Sequence, residues 1–296
     1  GAARAMHARA VRIRTARSGL LDTCGTGGSR LDVFNISTAA ALVAAAAGVP
    51  VAKHGNRAAT STSGSADVLE ALGVNIELPP ERVAACIDEL GIGFCYARLC
   101  HQAMKHVAPV RSQLPFRTIF NLLGPLTNPA GAEYQLLGTS RPESAERLAG
   151  ALARLGRTRA LVVCGAGQLD EVSLWGETAV YEVDAGTIRD HRWTAATFGL
   201  PECRANELQV RTAAESAEII RHVLAGQPGP HRNMVLANAA AALLAAGLAD
   251  EPLAAVTRAA EAIDSGATDE LCRRLAEWTQ TERLNPLDSD LESQAI

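Results

Sequence analysis

Asp22-Thr-Cys-Gly-Thr-Gly-Gly-Ser29, followed by Phe34-Asn-Ile-Ser-Thr-Ala39, decides the fold of this 296-residue chain. Gly19-Leu20-Leu21 leads in as an apolar strand, and Ala39 to Ala47 is helical in composition. Strand, glycine turn and helix start is the geometry that offers backbone N–H groups and a helix N-terminus to an anion. Gly25, Gly27 and Gly28 let the backbone close on a ligand with no Cβ in the way. Ser37 and Thr38 fall where the helix begins, so their hydroxyls either cap it or reach a phosphate or a metal. The turn is neither the spaced G-x-G-x-x-G of dinucleotide folds nor a P-loop ending in Gly-Lys-Ser/Thr. Taken alone, the stretch leaves phosphate binding and plain capping equally open.

Outward from this stretch, Val49-Pro-Val-Ala52 is a second short strand that ends at Lys53-His-Gly-Asn-Arg57. A small-residue loop, Ala58 to Gly64, leads into a helix from Ser65 to Leu72. Alternation of this kind predicts an α/β fold, a large domain with a mainly parallel central sheet flanked by helices. Ligands then sit at the carboxyl ends of the strands, so the two polar loops should face one crevice. A helix over Pro79–Leu90, a short strand over Ile92–Tyr96 and a helix over His101–Ser112 interrupt the rhythm. They are assigned, with the helical opening Gly1–Ala10, to a small helical domain of residues 1–18 and 79–115. The large α/β catalytic domain takes 19–78 and 116–296. Its later part reads as strand Tyr134–Gly138, helix Pro142–Leu155 and strand Ala160–Cys164. Strands near Val180–Val183 and Ile188–His191 follow, then helices over Ala213–Leu224, His231–Ala246 and Glu251–Trp278. The polar tail after Arg283 reads as loose.

Lys and Arg number 28 against 32 Asp and Glu, a formal net charge of −4, which gives no global electrostatic reason to bind nucleic acid. The seven cysteines (24, 86, 95, 100, 164, 203, 272) form no C-x-x-C pair and read as reduced thiols of a cytoplasmic protein. The longest apolar run, Thr38 to Ala52, is too short to span a bilayer.

Asp170-Glu171 follows a hydrophobic strand and a Gly-Ala-Gly turn. Adjacent carboxylates at a strand end suit Mg²⁺, which prefers hard oxygen and shares its shell with substrate phosphates; an acidic pair on a solvated loop is the plainer alternative. Lys53-His-Gly-Asn-Arg57 gathers two cations, an imidazole and an amide, an anion cradle able to hydrogen-bond a second substrate. Among Lys105, His106, Arg111 and Arg117, one could hold a substrate carboxylate while the others serve as surface charge. Cys24 has no indicated His partner and reads as a core thiol; His101 reads as a packing or capping residue.

These motifs occur in one order: Asp22-Thr-Cys-Gly-Thr-Gly-Gly28, Phe34-Asn-Ile-Ser-Thr38, Lys53-His-Gly-Asn-Arg57, Ser63-Gly-Ser-Ala-Asp-Val-Leu-Glu-Ala-Leu-Gly73 and Arg117-Thr-Ile-Phe-Asn-Leu-Leu-Gly-Pro-Leu-Thr-Asn-Pro129. Together, over Gly1 to about Leu248, the chain resembles the anthranilate phosphoribosyltransferases of tryptophan biosynthesis. The resemblance implies a small helical domain hinged to a large α/β domain, usually a homodimer through the small domain, whose N-terminal helices this chain is read as lacking. It implies that anthranilate and phosphoribosyl pyrophosphate give N-(5-phosphoribosyl)anthranilate and pyrophosphate, with Mg²⁺. On the same ground, Gly25, Thr26, Gly27, Gly28, Ser29, Asn35, Ser37, Thr38, Lys53, Arg57, Ser61 and Ser65 would hold phosphoribosyl pyrophosphate. Gly25, His54, Asn56 and Arg111 would meet anthranilate, and Ser37, Asp170 and Glu171 would bind the metal.

The chain departs from the family pattern at Ser29, where the turn usually ends in Asp, and at Arg98, Gln102, Cys164 and Gln168. Asp32, in the same loop, is read as a replacement for the carboxylate lost at Ser29. Two other functions fit less of the sequence. An idle or acceptor-altered relative, binding nucleic acid, predicts a basic cleft and loss of the metal carboxylates. A pyrimidine-nucleoside phosphorylase predicts Lys-x-Ser before the glycine turn and does not suit the Lys53–Arg57 loop.

Overall fold

The computed structural model describes residues 1–29, 31–58, 63–107, 113 and 118–281. Among these, one sheet orders the chain. Its strands are β1 (Leu21–Gly25), β2 (Val51–Gly55), β3 (Ile92–Tyr96), β4 (Tyr134–Gly138), β5 (Arg159–Cys164), β6 (Thr178–Asp184) and β7 (Thr187–Trp193). Their order is β3-β2-β1-β4-β5-β6-β7. β1 to β5 pair in parallel, and β6 and β7 close one edge as an antiparallel extension. The mainly parallel α/β sheet expected from the alternation is therefore present.

Alternate residues of the central strands face opposite layers. Leu136, Leu161 and Val163 pack on one side among the helices Ile36–Ala46, Pro230–Ala245 and Pro252–Asp264. Leu137, Ala160 and Val162 pack on the other against Leu148, Ala149 and Leu152 of the Pro142–Leu155 helix. The Ile36–Ala46 and Pro230–Ala245 helices are alanine-rich, buried nearly all round and in mutual contact. Small side chains permit this close approach, and buried apolar area of this extent is the main stabiliser of such a layer.

Three expectations change. Ile92–Tyr96 is not part of a separate helical domain: β3 is an outer strand registered along β2 from Val51↔Ile92 to Gly55↔Tyr96. The Pro80–Leu90 helix packs on it, with Val83, Ala84 and Ile87 in one cluster with Leu20, Ala52 and Cys95. Residues 80–96 thus belong to the α/β layer, and two helices instead of one between β2 and β3 broke the expected rhythm. The predicted helix Glu251–Trp278 is two, Pro252–Asp264 and Ala267–Gln280, separated where Gly266 takes φ +78°. Over His101–Ser112 the described residues form only a 3₁₀ segment, Gln102–His106, preceded by a short helical turn, Ala97–Cys100. Residues 108–112 and the tail from 282 lie outside the described residues. No helix among the described residues is long and apolar enough to cross a membrane.

Candidate active site

The strand order reverses at β1. The chain runs from β1 to β2 and β3 on one side, then returns to β4 and β5 on the other. Parallel α/β sheets open a crevice at this point, outside the carboxyl ends of the two central strands. Here those ends are Gly25 and Gly138, directly paired. The glycine turn is tied to β4: the Thr26 N–H donates to the Gly138 carbonyl at 2.8 Å, and Ser140 Oγ donates to the Gly27 carbonyl at 3.2 Å. Gly27 and Gly28 take φ +64° and +87°, so the turn itself selects glycine.

The loop carrying Asp170 and Glu171 lies across the same strand ends. A Cβ on Gly138 would sit 1.6 Å from the Asp170 carbonyl oxygen, and one on Gly25 would sit 2.7 Å from Asp170 Oδ2. Glycine at these two positions is what brings an acidic loop onto the sheet edge. The loop is pinned from behind, where Asn238 Oδ1 accepts the Val172 N–H at 2.8 Å. The Ser173 N–H donates to Thr178 Oγ1 at 3.0 Å.

Glu171 reaches the start of the Ile36–Ala46 helix. Its pKa is pushed up to about 8, first by burial and then by repulsion from Asp170; Lys53 and the Ser37 backbone N–H oppose the rise. Two carboxylates that repel one another beside a helix N-terminus form a site short of positive charge. Among the described residues no cluster of three or more His, Cys, Asp or Glu could hold a metal. A divalent ion here would have to complete its shell from hydroxyl, water or substrate oxygen. That donor set fits Mg²⁺, which takes one or two carboxylates together with phosphates.

Ser37 is half-buried at this junction, and Lys53 Nζ donates to its Oγ at 3.3 Å. Lys53 itself is only 3% exposed, and its ammonium also donates to the Thr23 carbonyl at 2.7 Å. The reason lies in the sheet. β1 and β2 are registered only at Leu21↔Val51 and then part. Side chains replace the missing ladder bonds: Asp22 Oδ1 accepts the His54 N–H at 2.9 Å, and Asn128 Nδ2 donates to the Ala52 carbonyl at 2.8 Å. Lys53 is thus a buried strut between splayed strands that steadies Ser37. Desolvation lowers its pKa, while Asp22, Cys24 and Glu171 favour its charge.

The remaining predicted residues divide. Asn35 caps the Ile36–Ala46 helix, accepting the Thr38 N–H at 3.3 Å, and the fully buried Thr38 donates its hydroxyl back to Asn35. Thr38 thus takes part in the cap that Asn35 makes. Asn35→Ala should lower unfolding free energy by about 1 kcal/mol, measured by urea denaturation. Arg57 is exposed but turned onto the Ser65–Ala71 helix, where it pairs with Glu70 at 2.8 Å and Asp67 at 3.1 Å. Asn56 is exposed, and Ser65 Oγ lies 3.5 Å from its carbonyl, so both stay at the β2 end of the crevice. Ser29 accepts the Leu31 N–H at 3.3 Å. Asp32 takes φ +46°, its carbonyl accepting the Val210 N–H at 2.9 Å. Ser61 and Arg111 lie outside the described residues.

His54 is buried, with Nε2 3.2 Å from His101 Nε2, so one ring donates and the other accepts. Burial pushes both down to about 4, leaving neutral imidazoles at pH 7. Folded values below the unfolded 6.5 mean that the unfolded chain binds more protons between pH 6.5 and 4. Stability should therefore fall as pH drops through that window, by up to about 3 kcal/mol per ring. His101→Asn should flatten the slope, as read by thermal melts across pH.

Sequence reasoning did not single out Gly138, Ser140, Thr23, Asn238 or Thr139, whose Oγ1 accepts the Thr26 hydroxyl at 3.3 Å. Gly138-Thr-Ser140 at the end of a predicted strand was the available signal for three of them.

A glycine turn, a helix start and paired carboxylates at one switch point of an α/β sheet define a class, and the comparisons agree with it. The profile of the family described as "Glycosyl transferase family, a/b domain" matches residues 17–269. The anthranilate phosphoribosyltransferase of Rhodopirellula baltica is 53% identical over 277 residues, covering 94% of this chain and 81% of that protein. That of Symbiobacterium thermophilum is 52% identical, covering 94% and 82%. Among solved structures, anthranilate phosphoribosyltransferase from Thermus thermophilus superposes with a TM-score of 0.89 at 48% identity, covering 94% of this chain and 83% of that one. The Saccharomyces cerevisiae enzyme, in complex with PRPP and Mg, gives 0.87 at 28% identity, covering 94% and 78%. The chain is a glycosyltransferase-family α/β protein. Within that class it belongs to the anthranilate phosphoribosyltransferase family.

Proposed function

We propose that this chain transfers the phosphoribosyl group of phosphoribosyl pyrophosphate to the amine of anthranilate, giving N-(5-phosphoribosyl)anthranilate and pyrophosphate, with Mg²⁺. The observation that carries this is the meeting of Asp170-Glu171, Ser37 and the glycine turn at the Gly25–Gly138 strand ends. Gly27, Gly28 and Ser29 present backbone to a diphosphate, and the Ile36–Ala46 helix points its N-terminus at the same place. Asp170, Glu171 and the Ser37 hydroxyl would hold the metal. When bound, Mg²⁺ neutralises charge that grows on the departing pyrophosphate.

Anthranilate is an aromatic amine, unprotonated at neutral pH and already nucleophilic. The protein's task is then to orient it, a job given to Gly25, Asn56 and, from the resemblance alone, Arg111. No residue is assigned as general acid or base. His54 contributes as a neutral, buried wall. Lys53, Thr38 and Arg57 act through the structure around the site, steadying Ser37, capping the helix and anchoring the β2 loop. The family's homodimer, its cytoplasmic setting and a small helical unit formed from residues 1–18 with those after β3 go with this reading.

Phosphorus NMR tests it. Phosphoribosyl pyrophosphate and anthranilate should yield pyrophosphate and a new phosphomonoester in equal amounts. Phosphorolysis of uridine or thymidine, with no reaction of anthranilate, would replace this function with the phosphorylase alternative.

A further inference from the structure

We infer that Asn238 is a positioning residue that fixes the Asp170–Glu171 carboxylates against Ser37; the inference rests on the function proposed above. Asn238 is fully buried in the middle of Leu236-Ala-Asn-Ala-Ala-Ala-Ala-Leu243, a stretch otherwise apolar. A lone amide in such a helix stays only if it is bonded. Its Oδ1 accepts the Val172 N–H at 2.8 Å, and its Nδ2 donates to the Val172 carbonyl at 3.0 Å and to the Met234 carbonyl at 2.9 Å. One carboxamide therefore clasps both polar groups of the residue that follows Glu171. Only a side chain with donor and acceptor on one planar group can do so.

The placement gives this clasp its consequence. The Pro230–Ala245 helix, which carries Asn238, packs on the Ile36–Ala46 helix, which begins with Ser37. Two helices in contact thus carry the two halves of the proposed metal site, Ser37 directly and Glu171 through Asn238 and Val172. Other contacts tie the loop to itself and to β6: the Gly165 N–H donates to the Leu169 carbonyl, and Ser173 pairs with Thr178. The Ser37 backbone N–H meets the Glu171 carboxylate itself, and Asn238 holds the backbone that aims that carboxylate. Loss of the amide should leave the carboxylates present but no longer held at a fixed distance from Ser37.

The test measures Mn²⁺ retained by the whole chain on ultrafiltration, with phosphoribosyl pyrophosphate present. Leu243→Ala, a buried change on the same helix, serves as the stability control. Asn238→Ala should weaken Mn²⁺ retention about 10- to 100-fold, while Leu243→Ala, though it melts lower, should stay within about threefold of the unmodified chain. Equal retention by the two variants overturns the inference. No retention by the unmodified chain removes the proposed function, and this inference with it. A second measurement needs no variant. The Val172 amide should resist hydrogen exchange as strongly as the Pro230–Ala245 helix before any metal is added. Exchange at loop rates until Mn²⁺ and phosphoribosyl pyrophosphate are present would show the ligands, not Asn238, ordering the loop, and would overturn the inference.

Discussion

Gly138→Ala should lower turnover about 100-fold or more while the protein still folds. The added Cβ falls 1.6 Å from the Asp170 carbonyl oxygen and 2.5 Å from its carbonyl carbon, both backbone atoms that no rotamer change can move. β4 lies in the middle of the sheet, registered on both sides, so the displacement must go into the loop. The loop cannot slide freely, because Asn238 holds Val172 and the Gly165–Leu169 bridge closes its base. Strain of this kind costs roughly 1–3 kcal/mol of stability, and a misplacement of about 1 Å at a reacting centre costs on the order of 10²-fold in rate. Gly150→Ala, within the Pro142–Leu155 helix, is the control, since its nearest neighbour is an arginine side chain at 3.5 Å. That change should melt at or above the unmodified temperature with unchanged turnover. Turnover in Gly138→Ala within threefold of the parent would mean that the loop does not need its position over β4.

The second large effect concerns Glu171. Glu171→Gln should reduce kcat/KM for phosphoribosyl pyrophosphate about 10²- to 10³-fold at limiting Mg²⁺, yet raise the melting temperature. The opposite signs come from one cause. Burial and the neighbouring Asp170 push the Glu171 carboxyl up to about 8, so the charged form opposes folding at neutral pH. A carboxyl whose folded value lies above the unfolded 4.5 makes the native state the better proton binder between pH 4.5 and 8. Stability of the metal-free parent therefore falls as pH rises through that window, and the advantage of Glu171→Gln should grow over the same range, to roughly 1–2 kcal/mol after allowance for solvent screening. Added Mg²⁺ should shrink the difference, because the ion stabilises the charged pair in the parent alone. Thermal melts at pH 5, 7 and 9, with and without Mg²⁺ and phosphoribosyl pyrophosphate, measure each part. A variant that melts lower at every pH would show that Glu171 supports the fold in its charged state.

The parts of this site that could be read from the chain were those built locally. Asp22–Ser29 carries its strand, turn and glycine pattern within eight residues, and Ser37 announces a helix start, so neither needed knowledge of distant contacts. The strut that Lys53 forms could not be read locally, because it depends on β1 and β2 parting after Leu21 and Val51, which only the folded sheet reveals. The ion pairs of Arg57 were hidden for a similar reason, since Asp67 and Glu70 meet it only when the Ser65–Ala71 helix forms beyond the loop. Ile92–Tyr96 was placed in the wrong unit because periodicity identifies a strand but not the sheet that takes it. Asn238 left a visible trace, one amide in a run of alanines, though nothing nearby in sequence named Val172 as its partner.

Anthranilate fluorescence, followed with phosphoribosyl pyrophosphate in the presence and absence of Mg²⁺, tests the central claim most directly. Transfer to the aromatic amine predicts loss of the signal only when both are added, and a much higher Mg²⁺ requirement in Glu171→Gln. A signal that stays constant with both present, in a chain that still binds phosphoribosyl pyrophosphate by calorimetry, would contradict anthranilate as the acceptor.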